Sequence, residues 1–110
     1  MFGHVVVIGY GATGRRAALT LVELATATSV VVVEVDSDRA AIAGYDGAHV
    51  VHGDGRGDAV LRCADIDVAL CVVVAVNSDA EGMLVTSAVR RLTSAAIILV
   101  VRRSVVTSVA

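Results

Sequence analysis

The chain has 110 residues, 56% of them hydrophobic, no proline or tryptophan, and a formal charge of -2. That length suits a single domain over residues 1–110 and leaves no room for a cofactor domain plus a separate substrate domain. The composition excludes disorder, and slight acidity with few aromatic residues argues against a nucleic-acid binder.

The first predicted element is a strand over residues 4–8, running into the glycine-rich hexapeptide GYGATG at residues 9–14. Behind it, Ala17, Ala18, Leu21, Leu24 and Ala25 recur at helical spacing. A second strand, residues 30–34, ends on Glu34, with Asp36 and Arg39 at the head of the next helix. These two fit a cap and surface pair as well as a ligand contact. A third strand at 48–52 leads to Gly53 and Asp54, and a fourth at 68–76 precedes a helix with Leu84, Val85, Ala88, Val89 and Leu92 at helical spacing. Ser78 or Asp79 suits that helix as N-cap, with Glu81 in its first turn and Arg90 and Arg91 near its end, all favourable to the helix dipole. A fifth strand is predicted at 95–101. The strands are apolar at consecutive positions, as parallel strands covered on both faces are. The expected fold is therefore α/β, a Rossmann-like doubly wound parallel sheet in a three-layer α/β/α arrangement, with about five strands in the order 3-2-1-4-5.

In that context the glycines carry chemistry. They follow a strand and open a helix, and an acid, Glu34, lies 20 positions beyond Gly14. Gly9 permits a tight turn, Gly11 lets a pyrophosphate approach the backbone, and Gly14 lets the helix close on the strand. Phosphate then meets the helix N-terminus, where Arg15 or Arg16 adds a cation. Glu34 is placed to accept from ribose hydroxyls and to repel a 2'-phosphate, so NADP is disfavoured. Asp54, beside a glycine at the carboxyl end of a parallel strand, sits where open sheets bind ligands.

The remaining reactive residues suggest structure. Cys63 and Cys71 lack metal-site or redox spacing and read as small core residues, and His4, His49 and His52 as structural or surface groups. No convincing acid–base pair or activated nucleophile is evident, so no enzyme activity and no metal are expected. The longest apolar stretches, at 68–76 and 95–101, are far shorter than the roughly 20 residues of a bilayer span. No secretory leader opens the chain, and a cytoplasmic location without direct membrane insertion follows as the expectation.

Taken together, HVVVIGYGATGRR, VVVVEVDSDR, HVVHGDGRGDAVLRCADID, VVVAVNSD and AAIILVVRR resemble the nucleotide-binding half of regulators of potassium conductance, the RCK or TrkA-N family, over residues 3–103. The resemblance implies that Gly9, Tyr10, Gly11, Ala12, Thr13 and Gly14 hold phosphates, and Arg15 beside them is expected in the same site. It places Glu34 and Asp36 at a ribose, Gly53 and Asp54 beside adenine, and Val76 and Asn77 near a distal ribose, and Val35, Arg39 and Gly55 are expected among the cofactor-binding residues with them. Gly55 and Arg56 replace the usual Ala or Ser and Thr, which loosens the adenine pocket, and Gly82 stands where asparagine is common. Beyond Arg103 the tail SVVTSVA is too short for the usual sixth strand and the C-terminal ligand-sensing half, so both are expected to be absent. Residues 96–101 then form an apolar edge unless that tail folds back over it. The implied function is binding of NAD(H) or ATP/ADP to gate a membrane potassium channel or transporter subunit, as a homodimer or higher ring. The alternatives are the NAD-binding domain of a dehydrogenase whose catalytic domain lies elsewhere, and a domain that keeps the fold without a ligand.

Overall fold

The computed structural model describes residues 3–24, 29–94, 97–101 and 106–109. In chain order the elements are β1 (Val5–Ile8), α1 (Ala12–Leu24), β2 (Val30–Glu34), α2 (Ser37–Tyr45), β3 (His49–His52), α3 (Asp58–Cys63), β4 (Cys71–Val74), α4 (Asp79–Leu92), β5 (Ile97–Val101) and β6 (Val106–Val109). One six-stranded sheet runs β3-β2-β1-β4-β5-β6. Its first five strands are parallel, in the expected order, and β6 pairs antiparallel to β5.

Valine-rich strands are buried on both faces because alternate side chains enter two different cores. Val6, Ile8, Val31, Val33, Val72 and Val74 pack with Leu61, Ile66, Val85, Ala88 and Val89 from the α3 and α4 side. Val5, Val7, Val30, Val32 and Val73 pack with Tyr10, Ala18 and Ala43 from the α1 and α2 side. The sheet is thus the middle of three layers.

Local signals account for most boundaries. Ser78 caps α4, its Oγ accepting from the Glu81 N–H at 3.1 Å, and Asp36 caps α2 through the Arg39 N–H at 2.9 Å. Helix α4 buries Gly82, Val85, Ala88 and Val89, whereas Met83 and Leu84 point outward. In α1, Ala18 is buried and Ala17 and Leu21 pack beside it, while the Leu24 side chain and Ala25 lie outside the described residues.

Three expectations are corrected. The fourth strand is shorter than residues 68–76, because Ile66–Val68 forms a 3-10 turn after Asp65, whose φ of 52° reverses the chain and drops Ile66 into the core. A sixth strand does exist: the tail folds back as β6 against Val101, Val100, Leu99 and Ile98, so β5 is not the sheet edge. Residues 95 and 96 of the predicted fifth strand lie outside the described residues. Cys63 is exposed in the last turn of α3 rather than in the core; Cys71 is half-buried, and burial pushes its thiol up.

His4 is buried at the start of β1, with Nε2 at 2.8 Å from the Ala64 carbonyl. His49 and His52 are exposed on β3, and His52 Nε2 lies 2.9 Å from the Val35 carbonyl.

Leu61 is fully buried where α3 meets the sheet. L61A should therefore remove about 2–5 kcal/mol of stability, read as a lower urea midpoint at unchanged denaturant slope.

Candidate functional site

The carboxyl ends of β1, β2 and β4 converge around the glycine loop, and the three glycines there have different causes. Gly9 has φ +95°, and a Cβ on it would lie 2.5 Å from the Ala75 carbonyl oxygen. A Cβ on Gly14 would fall on the Gly9 carbonyl oxygen, so α1 can close on the loop only with glycine there. A Cβ on Gly11 would meet nothing nearer than the Arg39 Cζ, at 3.9 Å, and Gly11 needs no left-handed backbone. The fold demands Gly9 and Gly14, but not Gly11.

Helix α1 begins its ladder with the Arg15 N–H on the Gly11 carbonyl at 2.9 Å. The preceding amides of Ala12, Thr13 and Gly14 have no acceptor within the helix, and no acidic side chain stands in the first turn. That end of the helix presents donors and the positive pole of the dipole to the crevice.

Glu34, 5% exposed, closes the floor. One carboxylate oxygen accepts from the Tyr10 N–H at 2.7 Å and the other from the Asp36 N–H at 3.0 Å. Its own carbonyl accepts from the Gly53 N–H at 3.0 Å. The acid placed at a ribose by the sequence is therefore also the tie that fixes the loop.

Tyr10 is buried rather than facing the crevice. Its ring packs among Ala18 and Ala43, and its hydroxyl donates to Asp46 Oδ2 at 2.7 Å. Arg15 Nε and a terminal nitrogen reach the same carboxylate at 2.8 and 3.1 Å. The guanidinium expected at phosphate is thus engaged at the C-cap of α2. Burial first, then the hydrogen bond to Asp46, pushes the Tyr10 phenol up to about 12. The hydrogen bond from Arg15, then that from Tyr10, holds Asp46 below the ordinary carboxylate range. Asp46 carries no sequence signal for this role, since its partner Tyr10 lies 36 residues away.

Asp54 and Arg56 form a second exposed fork. Arg56 donates to Asp54 through its backbone N–H at 2.9 Å and its guanidinium at 2.6–3.1 Å, which holds Asp54 below the ordinary range. Gly55 is buried, and a Cβ on it would lie 2.5 Å from the Ile8 Cγ2, so this departure from the family pattern tightens packing against β1. Gly53 sits as closely on Val60. Val35 and Asn77 are exposed, and Val76 is half-buried against the α3 and α4 core. Among the described residues no group of three or more His, Cys, Asp or Glu side chains is placed to hold a metal ion.

Two measurements check this geometry. G14A should lower the melting temperature by roughly 10 °C through overpacking, while G11A stays within about 3 °C of the parent. Because the folded-state value of Tyr10 lies above the ordinary phenol value of about 10, its contribution to stability is complete below pH ~10 and is lost as pH rises through about 12. Asp46 acts in the opposite sense: its contribution is present above the ordinary carboxylate value and is lost as pH falls through the lower folded-state value. A phenolate absorbance titration should show Tyr10 ionising late, in a step that Y10F eliminates; full ionisation of both tyrosines by pH ~11 would contradict the buried phenol.

No helix among the described residues is long and apolar enough to cross a membrane. No curated protein matches the chain. Among solved structures, the TrkA-N domain of the inner membrane protein ybaL from Escherichia coli is similar, with TM-score 0.81 and 20% identity over 91% of this chain and 73% of that one. The GsuK channel bound to NAD matches at TM-score 0.77 and 22% identity, over 91% of this chain and 18% of the channel. The Kef CTD from Shewanella denitrificans, in its AMP-bound form, matches at TM-score 0.70 and 16% identity, over 88% and 56%. The TrkA-N domain pattern itself matches residues 5–107, nearly the whole length. The chain belongs to the TrkA-N domain family.

Proposed function

We propose that this chain is a regulatory nucleotide-binding module, not an enzyme, which takes NAD(H) or an adenine nucleotide such as ATP or ADP and thereby gates a membrane potassium channel or transporter from the cytoplasmic side. The observation that carries the reading is Gly11. Packing explains Gly9 and Gly14, whereas a Cβ on Gly11 would touch only the flexible Arg39 guanidinium, at 3.9 Å, so the backbone there is approachable and suits a phosphate lying against it. The unpaired amides of α1 supply donors there. Glu34 and Asp36 at the end of β2 suit ribose hydroxyls and disfavour a 2'-phosphate, and Gly53, Asp54 and Gly55 flank the adenine. Val76 and Asn77 flank the distal group.

Family membership supports the regulatory half of the reading, as do similar structures that are parts of a channel and of an inner membrane protein. The exposed Met83 and Leu84 on α4 offer an apolar surface for a second copy or a membrane subunit, in keeping with a homodimer or larger ring.

Thermal unfolding with each ligand tests the binding. At a concentration a hundred times its Kd, a ligand specific for the folded state adds about 2.7 kcal/mol of stability. NAD, NADH, ADP and ATP should raise the midpoint, NADP much less, and G11V should abolish every shift while the domain stays folded. No shift with any of them would overturn the reading. Gating requires different shapes with different ligands, so identical scattering profiles of the assembled protein with NAD, NADH, ADP and ATP would remove the regulatory half.

A further inference from the structure

Three arginines lie near the glycine loop, and the structure separates them. Arg15 is forked onto Asp46, which also accepts the Tyr10 hydroxyl, so swinging Arg15 toward the crevice would strip a part-buried carboxylate of its cation. Arg16 is exposed on α1. Arg39 differs from both. It comes from another element, the first turn of α2, yet its Cζ stands 3.9 Å from the point where a Cβ on Gly11 would lie. Its backbone N–H is engaged by the Asp36 cap at 2.9 Å, and its guanidinium has no acidic partner among the described residues. A cation in the first turn of a helix also opposes the helix dipole, so the local structure gains nothing from an arginine at this position.

We propose that Arg39 is the phosphate-reading residue of the site: its guanidinium closes over the phosphates held against Gly11, so affinity rises with the number of 5'-phosphates. This rests on the nucleotide-binding reading above. The planar fork of a guanidinium matches phosphate oxygens, and two sets of N–H donors, the free backbone amides at the N-terminus of α1 and the Arg39 guanidinium, would then grip one diphosphate. The adenosine end, held by Glu34 and the residues around Asp54, does not involve Arg39. Discrimination between mono- and diphosphates therefore resides in α2 and not in the glycine loop alone.

Calorimetric titration of the 110-residue chain with adenosine, AMP, ADP and 2',5'-ADP tests this. The parent should bind ADP more tightly than AMP, and AMP more tightly than adenosine. R39Q should weaken ADP about tenfold, equivalent to about 1.4 kcal/mol, while adenosine is unchanged, and R39K should recover part of the loss. R16Q, which removes the same charge from an exposed neighbouring position, should leave the series intact. Unchanged ADP affinity in R39Q overturns the assignment while leaving the nucleotide reading in place. A loss confined to 2',5'-ADP also overturns it, because it moves Arg39 to the ribose. Absence of binding by every ligand to the parent overturns the underlying reading and this assignment with it. Circular dichroism of R39Q identical to the parent's ensures that each result reports on the site.

Discussion

The carboxyl end of the sheet depends on one buried carboxylate. Glu34 ties three partners to the end of β2: its two carboxylate oxygens hold the Tyr10 and Asp36 amides, and its carbonyl holds the Gly53 amide. Burying a carboxylate costs several kcal/mol, and each hydrogen bond to a charged acceptor returns about 1.5–3 kcal/mol, so the arrangement is close to neutral for stability. Its contribution is position. With the Tyr10 amide turned inward onto Glu34, the loop amides that remain for an anion are those opening α1. An acid at the end of β2 and a glycine loop after β1 are thus one device, and a ligand that draws on Glu34 acts on the loop as well.

Much of this was legible in the sequence because it depends on local rules. Runs of valine announce strands covered on both faces, and Ser78, Asp79 and Glu81 announce the start of α4. The glycine spacing followed by an acid 20 residues on announces the crevice. What stayed hidden depends on long-range pairing. Nothing near Asp46 signals that it meets Tyr10 and Arg15, and a run of similar apolar residues from Ile97 onward does not reveal that the tail turns back as an antiparallel β6. The inner and outer faces of α4 were ambiguous for a related reason: Leu84 and Val85 are both apolar, and only the position of the sheet decides that Val85 goes inward.

Tyr10 shows how a loop residue can be fixed by two layers at once. The peptide belongs to the glycine loop and is held by Glu34, while the ring is 3% exposed in the α1 and α2 core and its hydroxyl ends on the C-cap of α2. A close-packed interior does not absorb displacement by compressing. Movement of the Tyr10 peptide therefore has to be accommodated by its ring, by Asp46, or by the bond between them. Arg15, on the first turn of α1, shares that carboxylate, so both helices covering this face meet at the same two oxygens.

The energies needed for a regulatory role are small on this scale. A ligand shifts an equilibrium only by the difference in its affinity for the two states, and a tenfold preference is about 1.4 kcal/mol. That is about the net value of one hydrogen bond. Loss or gain of a single contact at the Tyr10–Asp46–Arg15 junction would be large enough to make one arrangement of α1 and α2 preferred over another. Tight binding would not substitute for it: a nucleotide held equally well by both arrangements changes neither population, however strongly Glu34 and the α1 amides retain it. For such a domain to regulate, residues that confer affinity would not suffice: polar contacts outside the crevice would have to differ in geometry between two states.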